Sequence, residues 1–184
     1  MATEETLSTD IHFKPEAIDL LFDTLGRTNE YIVVDLPRSA LALRQRIFET
    51  ATDILLITEL TLPGLRDAMR ILSTVDEASA GQPVTVIANR AGSLQQAMSP
   101  KDFQKALGHK VGFLIPQDEK AFKQAANNGK PVVQIDARSK ASKTMQNIAA
   151  KLTGEKQSAK ITEYSGKGKE SKKKSSWSQL FKKG

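Results

Sequence analysis

Four hydrophobic runs in this chain stop on polar residues: YIVVDLP, DILLITEL, VTVIANR and VGFLIPQD. An aspartate ending a buried strand, as Asp35 would, is costly to desolvate unless a cation or hydrogen-bond donors meet it. It could help hold a divalent cation, or it could cap the helix that follows. Asn89 carries both a donor and an acceptor, the pair needed to read the edge of an adenine ring; the other use of asparagine after a strand is to turn the chain. Pro116 with Asp118, and residues 127–131 (NNGKP), stand where later runs would deliver loops to the same place. Each position is a weak signal alone. Four such endings in order point to one ligand-facing edge.

The elements that must position these residues follow from periodicity. Residues 31–36 form an almost continuous apolar, β-branched run, the pattern of a strand buried on both faces. Residues 53–59, 84–88 and 111–115 repeat it. Between them the apolar residues change to helical spacing. Residues 14–26 carry Ala17, Ile18, Leu21, Phe22 and Leu25 on one side, and residues 65–78 carry Leu65, Ala68, Met69, Leu72 and Val75. Residues 39–50 and 119–128 also read as helices. Ser99 before Pro100 marks a capped helix start, and Gly129 marks a left-handed stop. Residues 132–135 read as a short extended segment. A last helix spans 139–152, with Ala141, Met145, Ile148, Ala149 and Leu152 facing inward. Strands alternating with such helices predict an α/β fold, a mostly parallel sheet with flanking helices and right-handed crossovers. In such sheets ligands bind outside the carboxyl ends of the strands.

The chain has 184 residues, 39% hydrophobic and 5% aromatic, which suits a core of Val, Ile, Leu and Ala. Its net charge of +6 is not spread evenly: residues 153–184 hold nine Lys and three Glu, so the remaining residues balance. The division is therefore an irregular N-terminus at 1–13, an α/β domain at 14–152 and a flexible Lys-rich tail at 153–184. Most of that tail is too polar to offset its ordering entropy. At its end Trp177, Leu180 and Phe181 stand at helical spacing, flanked by Lys173, Lys174, Lys182 and Lys183. Each basic residue near an anionic leaflet contributes about 1 kcal/mol, and the apolar trio suits the interface. The alternatives are a solubilising tail or a docking peptide for an acidic partner.

Several classes are disfavoured. The chain has no cysteine, hence no disulfide or thiolate site. Its first residues lack the basic and apolar regions of a secretory signal, and no run reaches the ~18 apolar residues of a membrane span. A cytoplasmic protein is expected. The two histidines, His12 and His109, lie in polar surroundings, and no nucleophile sits in a triad setting, so no catalytic residue is assigned. A balanced body without interleaved aromatics argues against a nucleic-acid partner.

Taken in order, IVVDLP, DILLITELTLPGLRDAMRIL, VTVIANR and LGHKVGFLIPQDEKAFKQAANNGKPV resemble the MinD/ParA class of deviant-Walker ATPases. Within that class the likeness is to the CpaE/TadZ-type proteins of Flp (Tad) pilus assembly, carried above all by TELTLPGLRDAMR and NNGKPV. The resemblance implies a P-loop-type fold binding ATP and Mg²⁺, a homodimer, and a cytoplasmic protein that positions pilus or secretion machinery, peripherally at the inner membrane or a cell pole. It also implies roles. Asp35 matches the acidic residue near Mg²⁺, and Pro37 follows it in the loop that senses the γ-phosphate. Asn89 and Arg90 match the adenine-side pair, and Pro116 to Asp118 match the loop bordering the base. A ParA/MinD-like partitioning or cell-division ATPase, or a degenerate binding module, is the alternative. The family's phosphate loop, G-x-x-x-x-G-K-[ST], has no counterpart in these residues, so ATP hydrolysis by this polypeptide alone is not expected. Without a first strand the sheet should be left with an open edge, which favours a chain whose phosphate-binding half lies elsewhere.

Overall fold

In the computed structural model, residues 15–37, 41–78 and 81–154 are described. The expectations for residues 1–13 and for the tail from 155 onward, including Trp177, Leu180 and Phe181, lie outside them. Two helices come first, α1 (Pro15–Gly26) and α2 (Leu41–Thr50), then β1 (Ile54–Glu59), α3 (Leu62–Ala78), β2 (Val84–Ala91), α4 (Pro100–Leu107) and β3 (Val111–Pro116). The helices α5 (Glu119–Asn127), α6 (Val132–Ile135) and α7 (Lys140–Thr153) complete the order.

The sheet is parallel, in the order β1-β2-β3. One face packs under α3 and α4: Leu56, Leu60, Ala68, Leu72, Val86, Ala88, Phe103, Leu107 and Val111 form its core. On the other face Ile87, Phe113 and Ile115 pack against Ala141 and Ile148 of α7. This is the α/β architecture the alternating pattern predicts, with helices on both faces of a parallel sheet.

Local chemistry explains the boundaries. The hydroxyl of Ser99 accepts from the N–H of Asp102 at 3.1 Å, Pro100 opens α4, and Gly108 ends it at φ +70°. Ser139 caps α7 in the same way, accepting from the N–H of Ser142 at 3.0 Å. The motif TELTLPG has a tight local reason. A Cβ on Gly64 would lie 2.4 Å from the Glu59 carbonyl oxygen, so only glycine lets α3 start this close to the end of β1. The Thr58 hydroxyl donates to the Gly64 carbonyl at 3.1 Å across that contact.

The structure departs from the sequence reading at four places. Residues 31–36 are not a strand: they pair with no strand, and Tyr31, Ile32, Val33 and Val34 are exposed, Val33 at 95%. An apolar run becomes a buried strand only where neighbouring strands supply hydrogen bonds and cover, and among the described residues no strand does so here. Residues 132–135 are a short helix, not extended, because Pro131 begins a turn closed by the Asp136 N–H on the Val132 carbonyl at 2.9 Å. On α7, Ser142 and Ala150 face inward, whereas Ala149 and Leu152 are exposed. On α1 Ile18 is buried, whereas Ala17 and Leu21 face outward. A salt bridge from Arg46 to Asp19 at 2.7 Å ties α1 to α2. The hydrogen bond from Asp19, then that from Glu49, holds the Arg46 guanidinium above its ordinary pKa.

Candidate functional site

The three strands run the same way, so their carboxyl ends meet along one edge. Glu59 ends β1 and stands in register with Asn89 of β2. Ala91 pairs with Pro116, the last residue of β3, and the Gln117 N–H donates to the Ala91 carbonyl at 2.9 Å, which fixes the β3 loop against the β2 loop. The structure therefore brings Asn89, Arg90, Pro116 and Asp118 to one side of the sheet.

Each of these residues is held. The Asn89 side-chain oxygen accepts from the Arg90 backbone N–H at 3.0 Å, while its Nδ2 has no hydrogen-bond partner among the described residues. Arg90 has φ +52°, and no other non-glycine described residue has a positive φ. Such backbone strain persists where the surroundings enforce it, commonly at binding sites. Here the enforcing contacts are the Asn89 oxygen, the Ser93 N–H on the Arg90 carbonyl at 3.0 Å, and Glu59, whose carboxylate meets the Arg90 guanidinium at 3.4 Å. Asp118 caps α5, its carboxylate accepting from the Ala121 N–H at 3.1 Å. Glu59 was not singled out from the sequence as a site residue. The signal was available, since it is the polar stop of DILLITEL.

Asp35 and Pro37 are not joined to that edge. Both are exposed, and Asp35 makes no hydrogen bond or ion pair among the described residues. Their neighbour Leu36 packs against the cluster of Phe48, Ile54 and Val75, which includes the first residue of β1. With no strand pairing on 31–36, nothing carries the aspartate to the carboxyl end. A groove of about 450 Å³ lined by Met69, Leu72, Asp76, Glu77, Leu107 and His109 lies between α3 and α4 and holds none of the predicted site residues.

Chemically the edge offers a free amide donor, a guanidinium balanced by a carboxylate, and ordered backbone. That set suits a flat polar ring. It does not fit a nucleotide's phosphates or its metal: the sequence holds no glycine-rich loop with lysine to supply clustered N–H groups and a cation. Among the described residues there is also no group of three metal-ligating side chains.

Comparison with known proteins bears on the fold. A ParA family ATPase from Chlorobium tepidum TLS superposes with a TM-score of 0.66 at 25% identity, over 76% of this chain and 57% of that one. The fold is that of the MinD/ParA ATPases. The cell division ATPase MinD of Pyrococcus furiosus matches with a TM-score of 0.64 at 20% identity, over 77% of this chain and 59% of that one. MinD from Pyrococcus horikoshii OT3, solved with Mg-ADP, matches at 0.63 and 20% identity, covering 77% of this chain and 58% of that protein. In sequence, the septum site-determining protein MinD of Bacillus subtilis is 25% identical over 164 residues, 88% of this chain and 61% of that protein. That of Synechocystis is 26% identical over 144 residues, 76% of this chain and 53% of that protein. The chain thus spans little more than half the length of these MinD proteins. No family model matches. Among the described residues no helix is long and apolar enough to cross a membrane.

Proposed function

We propose that this chain is a portion of a MinD/ParA-type positioning ATPase, of the CpaE/TadZ kind that serves Flp (Tad) pilus assembly. It supplies the base-facing edge, and the phosphate-binding part lies outside these 184 residues. The observation that carries this reading is the edge itself: Asn89, Arg90, Pro116 and Asp118 share one end of a MinD/ParA-type sheet. That end is where ligands bind in open α/β sheets. The pilus assignment rests on the likeness of TELTLPGLRDAMR and NNGKPV. A septum-site or partitioning role is the second reading, favoured by the names of the relatives.

In this proposal Asn89 and Arg90 face adenine, Pro116 to Asp118 border it, and Asp35 with Pro37 serves the Mg²⁺ and γ-phosphate side once residues 31–36 pair as a strand. The partners are a second copy and the pilus or secretion machinery, with nucleic acid disfavoured. The tail residues Trp177, Leu180, Phe181, Lys173, Lys174, Lys182 and Lys183 attach the protein to an anionic membrane. Calorimetry with Mg-ATP tests the nucleotide part: the chain alone is expected to bind more weakly than about 1 μM, and tighter binding would refute the divided site. Deleting the gene and counting Flp pili tests the machinery; unchanged number and position would sink that assignment. Deletion of residues 177–184 is expected to abolish binding to anionic liposomes.

A further inference from the structure

The motif NNGKPV contains the one Asn-Gly step of the chain, Asn128-Gly129. It lies at the opposite end of α5 from Asp118, so the ligand-facing edge makes no use of it. Asparagine is a thermolabile residue, and it is weakest before glycine: the next backbone nitrogen attacks the side-chain carbonyl carbon, and glycine has no Cβ to crowd that approach. Residues 126–130 are all exposed. Water therefore reaches the junction, and only its conformation protects it.

That conformation is unfavourable for attack. Asn128 closes α5 with φ −96° and ψ −1°. A ψ near zero turns the Gly129 nitrogen toward Asn128's own nitrogen and away from its Cβ, so the attacking atom is not beside the side-chain carbon. Three hydrogen bonds hold the arrangement. The Gly129 N–H donates to the Ala126 carbonyl at 3.2 Å, the Lys130 N–H to the Ala125 carbonyl at 3.1 Å, and Asn128 Nδ2, the group that would leave, to the Gln124 carbonyl at 2.7 Å. Gly129 has φ +59°, the left-handed stop of a helix C-terminus. Inside the corner Ala121 and Ala125 pack on Val132 of α6.

We infer that Asn128 is a modification site gated by the fold: the closed end of α5 holds off its deamidation, and local opening releases it. Once the end opens, the Gly129 nitrogen gives its proton to hydroxide and bonds to Asn128 Cγ. The Cγ–Nδ2 bond breaks, ammonia leaves, and a cyclic imide remains. Water then opens the ring at either carbonyl carbon, so the net change is one water consumed and one ammonia released, with nothing oxidised or reduced. Attack at Cγ restores the ordinary chain with a carboxylate at position 128. Attack at the backbone carbon leaves an isoaspartyl link, whose main chain is one carbon longer. Both products undo the gate. A carboxylate cannot donate to the Gln124 carbonyl, and its charge lies at the negative end of the α5 dipole; the extra carbon also displaces Gly129 and Lys130 from their acceptors. Opening and modification therefore reinforce each other, and the corner keeps an irreversible record of time spent open. The inference does not depend on the nucleotide reading.

Peptide mass mapping of the full chain, held at one mildly alkaline pH, follows the reaction, and an isoaspartyl methyltransferase counts the isoaspartyl product. In guanidinium chloride position 128 should be modified before any other asparagine. In the folded chain it should react at least about tenfold more slowly than in denaturant, because the reaction waits on local opening. Ala126→Gly, at an exposed position in the last turn of α5, loosens the helix end without altering the Asn-Gly step; it should speed the folded reaction up to about fivefold and leave the rate in denaturant unchanged. Asn128→Asp, which carries the product's charge, should speed hydrogen exchange at the Gly129 and Lys130 amides. Equal rates in folded and denatured chains, an Ala126→Gly variant no faster than the parent when folded, or another asparagine reacting first in denaturant would overturn the inference. Unchanged exchange in Asn128→Asp would overturn the reinforcement between modification and opening.

Discussion

VGFLIP and YIVVDL are nearly interchangeable as sequence, yet they end in opposite environments. The first is β3, buried along most of its length between α4 and α7. The second joins no strand among the described residues, and its Tyr31 to Asp35 are exposed. The difference lies in the neighbours: β3 has β2 beside it and helices on both faces, whereas among the described residues no strand pairs with residues 31–36 and only Leu36 packs against α2 and α3. Strand propensity measures how well a residue fits a pleated, covered surface, and without that surface it has no effect.

Mutations can break or sharpen this contrast. The largest effect is expected from Phe113→Ala, which empties a fully buried site and should cost about 3–5 kcal/mol in urea unfolding. Val33→Ala, in the exposed run, should stay within about 0.5 kcal/mol. Similar losses for both would mean that the two runs are equally packed. Next comes Gly64→Ala: the new methyl meets the Glu59 carbonyl, so destabilisation of about 1–3 kcal/mol is expected. Ser139→Ala removes the α7 cap and should cost about 1 kcal/mol by the same measurement. Arg90→Ala should cost less than the cap, below about 1 kcal/mol, because both partners in its ion pair with Glu59 are more than a third exposed. A loss above 2 kcal/mol would mean that Arg90 is a structural pillar of the edge.

Much of this was legible from residue types. The strands β1, β2 and β3, the Ser99-Pro100 start and the Gly129 turn, at φ +59°, depend on neighbours close in sequence, and the pattern found them. Asn89, Arg90, Pro116 and Asp118 lie at the carboxyl ends because parallel strands end together, although β2 runs on to Ala91 and so contains Asn89 and Arg90, which the pattern placed after it. The Arg90–Glu59 pair was missed because it depends on the register of β1 against β2, which composition does not encode. Residues 31–36 were misread because the partner that would make them a strand is not among the described residues. The inward face of α7 was misjudged by one position, since Ala149 and Ala150 are identical to a hydrophobic pattern and only the helix's rotation on β3 distinguishes them.

Native-state hydrogen exchange on the full chain tests the central claim most directly, because it compares the closed and open regions in one sample. The amides of Val86 and Ile87 in β2 and of Phe113 in β3 should exchange only through global opening, and those of residues 32–34, together with Leu55 and Ile57, should exchange near the unprotected rate. Protection of residues 32–34 equal to that of β2 would contradict the account, since it would mean that the sheet is already closed on that side by this chain alone.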